Sequence, residues 1–132
     1  MNKNINSEVV AVVDTDIVKA HNNAGLFGVE NVYSDYKEML NNEHIDAVII
    51  CTPHFAHYEQ AIACAKKGLH ILCEKPLATS LEDIKKMIDR CSKMKFSVML
   101  QRRFYPNSIA VANAIKNGAL GSIIEVSLDF TC

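Results

Sequence analysis

The chain has 132 residues, close to half of them apolar, with 14 basic and 15 acidic side chains. That is enough for one domain with a modest core, and the near-neutral balance argues against a nucleic-acid-binding surface. No apolar run approaches the roughly 20 residues needed to span a bilayer, and the polar start Met1-Asn2-Lys3-Asn4-Ile5-Asn6 has no apolar signal segment.

Val9-Val10-Ala11-Val12-Val13 is a continuous β-branched run ending at Asp14. A run apolar on both faces suits a strand buried in a parallel sheet. Asp16 to about Leu26 then reads as a short helix closed by Gly25 or Gly28. Val32-Tyr33 is a weak strand, and Ser34 can cap a helix running to about Asn41. Asp46 to Cys51 is a second buried strand, halted by Thr52-Pro53. A helix is expected from about Phe55 to Lys67, with Tyr58, Ala61, Ile62 and Ala65 on its apolar face and Gly68 at its left-handed end.

Leu69 to Cys73 is a third strand, ended by Glu74-Lys75-Pro76. Ser80 with Asp83 three residues on resembles a capping box whose acid is one methylene short. Leu81, Ile84, Met87, Ile88 and Cys91 follow at helical spacing. Phe96 to Leu100 is a fourth strand, and Pro106 to about Lys116 a helix stopped by Asn117-Gly118. In Ile123 to Phe130, Ile124, Val126, Leu128 and Phe130 alternate with polar residues, as in a strand with one solvated face. Strands alternating with helices imply an α/β fold with one parallel sheet and right-handed crossovers. The alternating last strand differs in kind and reads as the opening of a second sheet.

In open parallel sheets ligands bind at the carboxyl ends of the strands. Those ends carry Asp14, then Cys51-Thr52-Pro53-His54, then Glu74-Lys75-Pro76, then Gln101-Arg102-Arg103-Phe104. An acid such as Asp14 can accept from both hydroxyls of an adenosine ribose and repel a 2′-phosphate; it can equally cap the following helix. Lys75, held extended before proline, can polarise a substrate oxygen if its ammonium is partly desolvated; it can equally be a solvated turn residue. Cys51, His54 and His57 lack an evident fourth ligand, so no metal is expected. The five cysteines are odd in number and form no Cys-x-x-Cys pair, which points to free, mostly buried thiols in a reducing cytoplasm.

Thr52-Pro53 after an Asp-Ala-Val-Ile-Ile strand, His57, and the block Gly68-Leu69-His70-Ile71-Leu72-Cys73-Glu74-Lys75-Pro76-Leu77-Ala78 together resemble the glucose–fructose oxidoreductase and inositol dehydrogenase (Gfo/Idh/MocA) family. Arg102-Arg103-Phe104-Tyr105-Pro106 and Gly118-Ala119-Leu120-Gly121 resemble it at matching intervals. The resemblance implies a Rossmann-type domain that binds NAD(P), NAD before NADP, and an oxidoreductase acting on a sugar, polyol or related compound. It implies that Asp14 meets the ribose and that Thr52, Pro53, His54 and His57 lie along the cofactor, His54 standing where Asn is common. It further implies that Glu74 and Lys75 lie beside the nicotinamide, with Lys75 catalytic, and that Arg103 lies near substrate and cofactor.

Two departures accompany it. The family opens with a strand and a Gly-x-Gly-x-x-Gly turn that cradles pyrophosphate, whereas the glycines here are Gly25, Gly28, Gly68, Gly118 and Gly121. The family also carries a C-terminal substrate domain. The expectation is therefore a partial Rossmann domain over residues 1–121 and the start of a second, α+β domain over 122–132. The missing first strand would leave two inner strand edges open, so a homo-oligomer is expected. The alternative is a non-catalytic remnant that keeps the fold without activity.

Overall fold

The computed structural model describes residues 3–4, 7–127 and 129. The chain forms two compact units, Met1–Met99 and Leu100–Cys132.

The first unit begins with a hairpin that its polar sequence does not announce: β1 (Lys3–Asn4) pairs antiparallel with β2 (Ser7–Glu8). The β-branched run yields a shorter strand than expected, β3 (Ala11–Val13), with Val9 well exposed. Asp16 caps α1 (Ile17–Phe27), its carboxylate accepting from the Val18 and Lys19 amides. Of the two candidate stops, Gly28 closes the helix, because its φ of 67° is the left-handed geometry that a residue without Cβ adopts cheaply. β4 (Asn31–Tyr33) follows. Asp35, one residue after the expected cap Ser34, caps α2 (Tyr36–Asn42) by accepting from the Lys37 amide at 2.8 Å. Both types cap well; the carboxylate is charged and complements the helix dipole.

β5 (Ala47–Ile50), α3 (His54–Lys66), β6 (His70–Glu74), α4 (Leu81–Arg90) and β7 (Phe96–Met99) complete the unit within one or two residues of expectation. Ser80 caps α4 by accepting from the Asp83 amide, while its hydroxyl donates to Asp83 Oδ2 at 2.8 Å. The shortened acid meets the serine side chain. Met87 and Cys91 are fully buried, whereas Leu81 and Ile88, assigned to the same apolar stripe, face solvent.

The single parallel sheet expected from the sequence is divided. β3 pairs with β4, and β5-β6-β7 form a separate ladder; every pairing in both is parallel. Among the described residues β3 and β5 each have a ladder partner on one side, so they do not close up on each other. Both ladders nevertheless share one core. Ala11, Val13 and Tyr33 pack against a cluster that includes Ile50, Ile71, Cys73, Ala61 and Met87.

The second unit holds a 3-10 turn, Gln101–Phe104, and α5 (Pro106–Lys116), whose first residue is the proline that suits a helix start. The strand expected at Ile123–Phe130 does not form where it is described. Residues 123–127 join no ladder and Ile124 is 98% exposed; positions 128 and 130 lie outside the described residues. Alternation specifies a strand only when a neighbouring strand takes up its main-chain groups, and none does so here among the described residues.

Candidate functional site

The register of the three-stranded ladder builds the centre of the site. Ile50 lies opposite Cys73, so the chain leaves β5 and β6 side by side. Cys51-Thr52-Pro53 therefore emerges beside Glu74-Lys75-Pro76, both at strand carboxyl ends where ligands bind in open parallel sheets.

One buried side chain ties the two exits together. His57, on the first turn of α3, has no exposed surface. Its Nε2 lies 2.7 Å from the Thr52 carbonyl oxygen and its Nδ1 3.0 Å from the Pro76 carbonyl oxygen. Carbonyls only accept, so which of the two contacts the ring serves as donor depends on which nitrogen carries a proton. The Thr52 hydroxyl donates to Gln60 Oε1 at 2.6 Å, fastening the same loop to α3 a second time. On the other strand exit, the Lys75 amide donates to Glu74 Oε2 at 2.9 Å, and the Lys75-Pro76 peptide is cis.

The resemblance places His57 along the cofactor. In the structure its ring has no exposed surface and both nitrogens lie against main-chain carbonyls of the two loops. His54 is exposed, at the start of α3, with its ring edge against His57 at a centroid distance of 5.9 Å. Lys75 is exposed, so the partial desolvation that would sharpen its chemistry is not supplied by the described residues. Pro53 leads into α3 and contributes no side-chain cap.

Asp14 ends β3, on the other ladder, where its amide donates to the Tyr33 carbonyl. Its Oδ1 accepts from the Asp16 amide at 3.0 Å, and its Oδ2 lies 2.7 Å from Lys19 Nζ. The hydrogen bond from Lys19, with that from the Asp16 amide, holds the Asp14 carboxyl below the ordinary value of 3.8. The lysine is a participant that strand-end reasoning misses. Lys19 stands five residues after Asp14 and reaches back over the first helical turn, a separation outside the three- and four-residue spacings by which helical ion pairs are read from sequence. Arg103 lies in the second unit, on the 3-10 turn.

The thiols are not nucleophiles in waiting. Burial pushes Cys64 and Cys73 up to about 11 and also raises Cys91, so all three hold their protons at neutral pH. Cys51 is exposed. Among the described residues no group of three or more His, Cys, Asp or Glu side chains is placed to hold a metal ion, and no helix is long and apolar enough to cross a membrane.

A parallel α/β unit with an acid after one strand and Thr-Pro and Glu-Lys-Pro turns after two adjacent ones narrows the search for relatives. The oxidoreductase family with an NAD-binding Rossmann fold (Gfo/Idh/MocA) matches residues 1–101. The chain belongs to that family. A myo-inositol 2-dehydrogenase of Thermotoga maritima is 38% identical over 96 residues, covering 71% of this chain and 29% of its own length. A D-xylose 1-dehydrogenase (NADP(+)) of Haloferax volcanii is 30% identical over 126 residues, covering 94% and 38%. The crystal structure of myo-inositol 2-dehydrogenase from Lactobacillus plantarum superposes with a TM-score of 0.85 at 29% identity, covering 93% of this chain and 37% of that one. The chain thus spans about a third of the length of such relatives.

Proposed function

We propose that this Gfo/Idh/MocA chain forms the nucleotide side of an NAD(P)-dependent oxidoreductase acting on a sugar, polyol or related compound. The observation that carries the reading is the pair of strand exits, Thr52-Pro53 and Glu74-Lys75-Pro76, set side by side and joined through His57. The residues present fit the two ends of a dinucleotide. Asp14 offers carboxylate lone pairs to an adenosine ribose, because its contacts with the Asp16 amide and Lys19 leave acceptor capacity on both oxygens. Thr52, Pro53 and His54 lie along the cofactor, and Glu74 lies beside the nicotinamide. Arg103 joins the proposed set on the family resemblance alone. No Gly-x-Gly-x-x-Gly segment in this sequence serves the pyrophosphate.

Hydride exchange with a substrate carbon is the chemistry that a nicotinamide supplies when bound. Lys75 holds and returns the proton of the reacting hydroxyl, which gains charge as the carbon changes oxidation state. His57 fixes the loop that carries that lysine against the loop after β5. The Asp14 carboxylate favours NAD over NADP, the protein works in the cytoplasm, and copies associate through their open strand edges. Residues 1–121 and 122–132 are assigned to the nucleotide domain and to the start of the substrate domain.

The test is Lys75→Ala in a protein that contains this chain together with a substrate domain, assayed by NAD reduction with inositols and aldoses. Turnover should fall about 100-fold or more, the contribution of a positioned proton-transfer group, while the NAD dissociation constant stays within about threefold. Unchanged turnover removes Lys75 from the mechanism. Absence of NAD reduction with every polyol in the unmodified protein favours the fold-only alternative.

A further inference from the structure

We propose that Lys19 reads the 2′ position of the bound adenosine ribose, so that the end of β3 admits a 2′-phosphate as well as a 2′-hydroxyl. The inference rests on the reading that Asp14 meets that ribose. From the sequence, Asp14 is a bare anion that repels phosphate. The structure adds a counter-charge: Lys19 Nζ stands 2.7 Å from Asp14 Oδ2.

Three features make Lys19 the reader of this position. Its side chain is 64% exposed while that of Asp14 is 26% exposed, so the ammonium can swing from carboxylate to phosphate without entering an apolar space. Its backbone is fixed, because the Lys19 amide donates to the capping Asp16 carboxylate at 3.1 Å. That same cap engages the Val18 and Lys19 amides of the first turn, so the helix start has fewer donors to offer an anion than an uncapped one. The cationic side chain is left as the main recognition element.

The sign of the effect follows from the local charges. A 2′-phosphate there meets the Lys19 ammonium together with the carboxylate it pairs with, Asp14, and the nearby capping carboxylate of Asp16. One cation against two carboxylates permits the phosphate without favouring it, and removing the cation leaves repulsion alone. The site is accordingly tolerant of both riboses, and Lys19 is what makes it so.

Nitrogen-15-labelled chain titrated with 5′-AMP and with adenosine 2′,5′-bisphosphate tests this, the amide resonances of residues 14–20 giving both dissociation constants at millimolar probe. In the unmodified chain the two constants should lie within about tenfold of each other. Lys19→Ala should weaken the 2′-phosphorylated probe about fivefold, the upper range for an exposed ion pair, and leave 5′-AMP within about twofold. Lys19→Arg should restore the phosphorylated probe. Equal weakening of both probes, or of neither, overturns the role of Lys19 while leaving the ribose site standing. If neither probe moves these resonances in the unmodified chain, the ribose site itself fails and the proposal fails with it.

Discussion

Replacing His57 with alanine should destabilise the first unit by about 2–4 kcal/mol. The imidazole makes contacts of 2.7 and 3.0 Å to two carbonyls that belong to different loops. Each hydrogen bond contributes about 0.5–1.5 kcal/mol net, the lower half applying where water can reach the freed carbonyl. The Pro76 end is exposed and both partners are acceptors, so the two contacts together amount to about 1–2 kcal/mol. The ring is wholly enclosed, and emptying its volume adds about 1–2 kcal/mol for a void that the neighbours fill only in part. The sum is a large fraction of the roughly 5–15 kcal/mol that holds a typical domain together. Urea unfolding followed through the tyrosines Tyr33, Tyr36 and Tyr58 measures it. His57→Gln, which can keep one of the two bonds, should cost about half as much. An alanine variant within about 0.5 kcal/mol of the unmodified chain would refute the claim that His57 braces the two strand exits.

Three further outcomes are expected. Calorimetric titration of this chain with NAD should give a dissociation constant weaker than micromolar, because no Gly-x-Gly-x-x-Gly segment of this sequence serves the pyrophosphate and a charge-assisted contact such as that of Asp14 contributes about 1.5–3 kcal/mol of the roughly 8 kcal/mol that micromolar binding needs; a micromolar or tighter constant contradicts this. The first unit should lose stability as pH rises from about 9 to about 11. Folded Cys64 and Cys73 keep their protons up to about 11, whereas the unfolded thiols release theirs near 9, so the unfolded state binds fewer protons in that window. Replacing both by alanine should flatten that alkaline limb, and an unchanged slope would assign it to other groups. Light scattering after size exclusion should show a dimer or larger species, since β3 and β5 each leave a strand edge without a ladder partner among the described residues; a single 14.7 kDa species would show that the edges are satisfied within one chain.

How much of this is legible in the sequence depends on whether a feature is local. β5 and β6 are readable because a short apolar run bounded by turn residues has few other uses. The helix stop at Gly28 and the cap at Ser80 follow from chemistry within four residues. The division of the sheet is not readable, because pairing depends on which edges meet and not on either strand alone. Over 123–127, the described part of the strand expected at Ile123–Phe130, no ladder forms for the same reason. His57 invites a functional reading because it is polar. Yet His57, Ala61 and Cys64 recur at intervals of four and three, the spacing of one helix face, and Ala61 and Cys64 are buried with it. That spacing marks the imidazole as internal. Lys75 and Asp14 are readable as residues at strand ends, but the ion pair that modifies Asp14 needs the helix to be built first.

The poor burial of α5 has a consequence for any measurement on this molecule. None of its eleven residues is buried, and Ile109, Val111 and Ile115 are each about half exposed. A helix of that length without a packed face is marginal in water, so its amides should exchange with deuterium at nearly the rate of a free peptide. The amides of α3 and α4 beneath His57 and Met87 should exchange only when the first unit opens. The chain then has two opening free energies instead of one. A far-ultraviolet melting curve adds both together and yields a midpoint that belongs to neither.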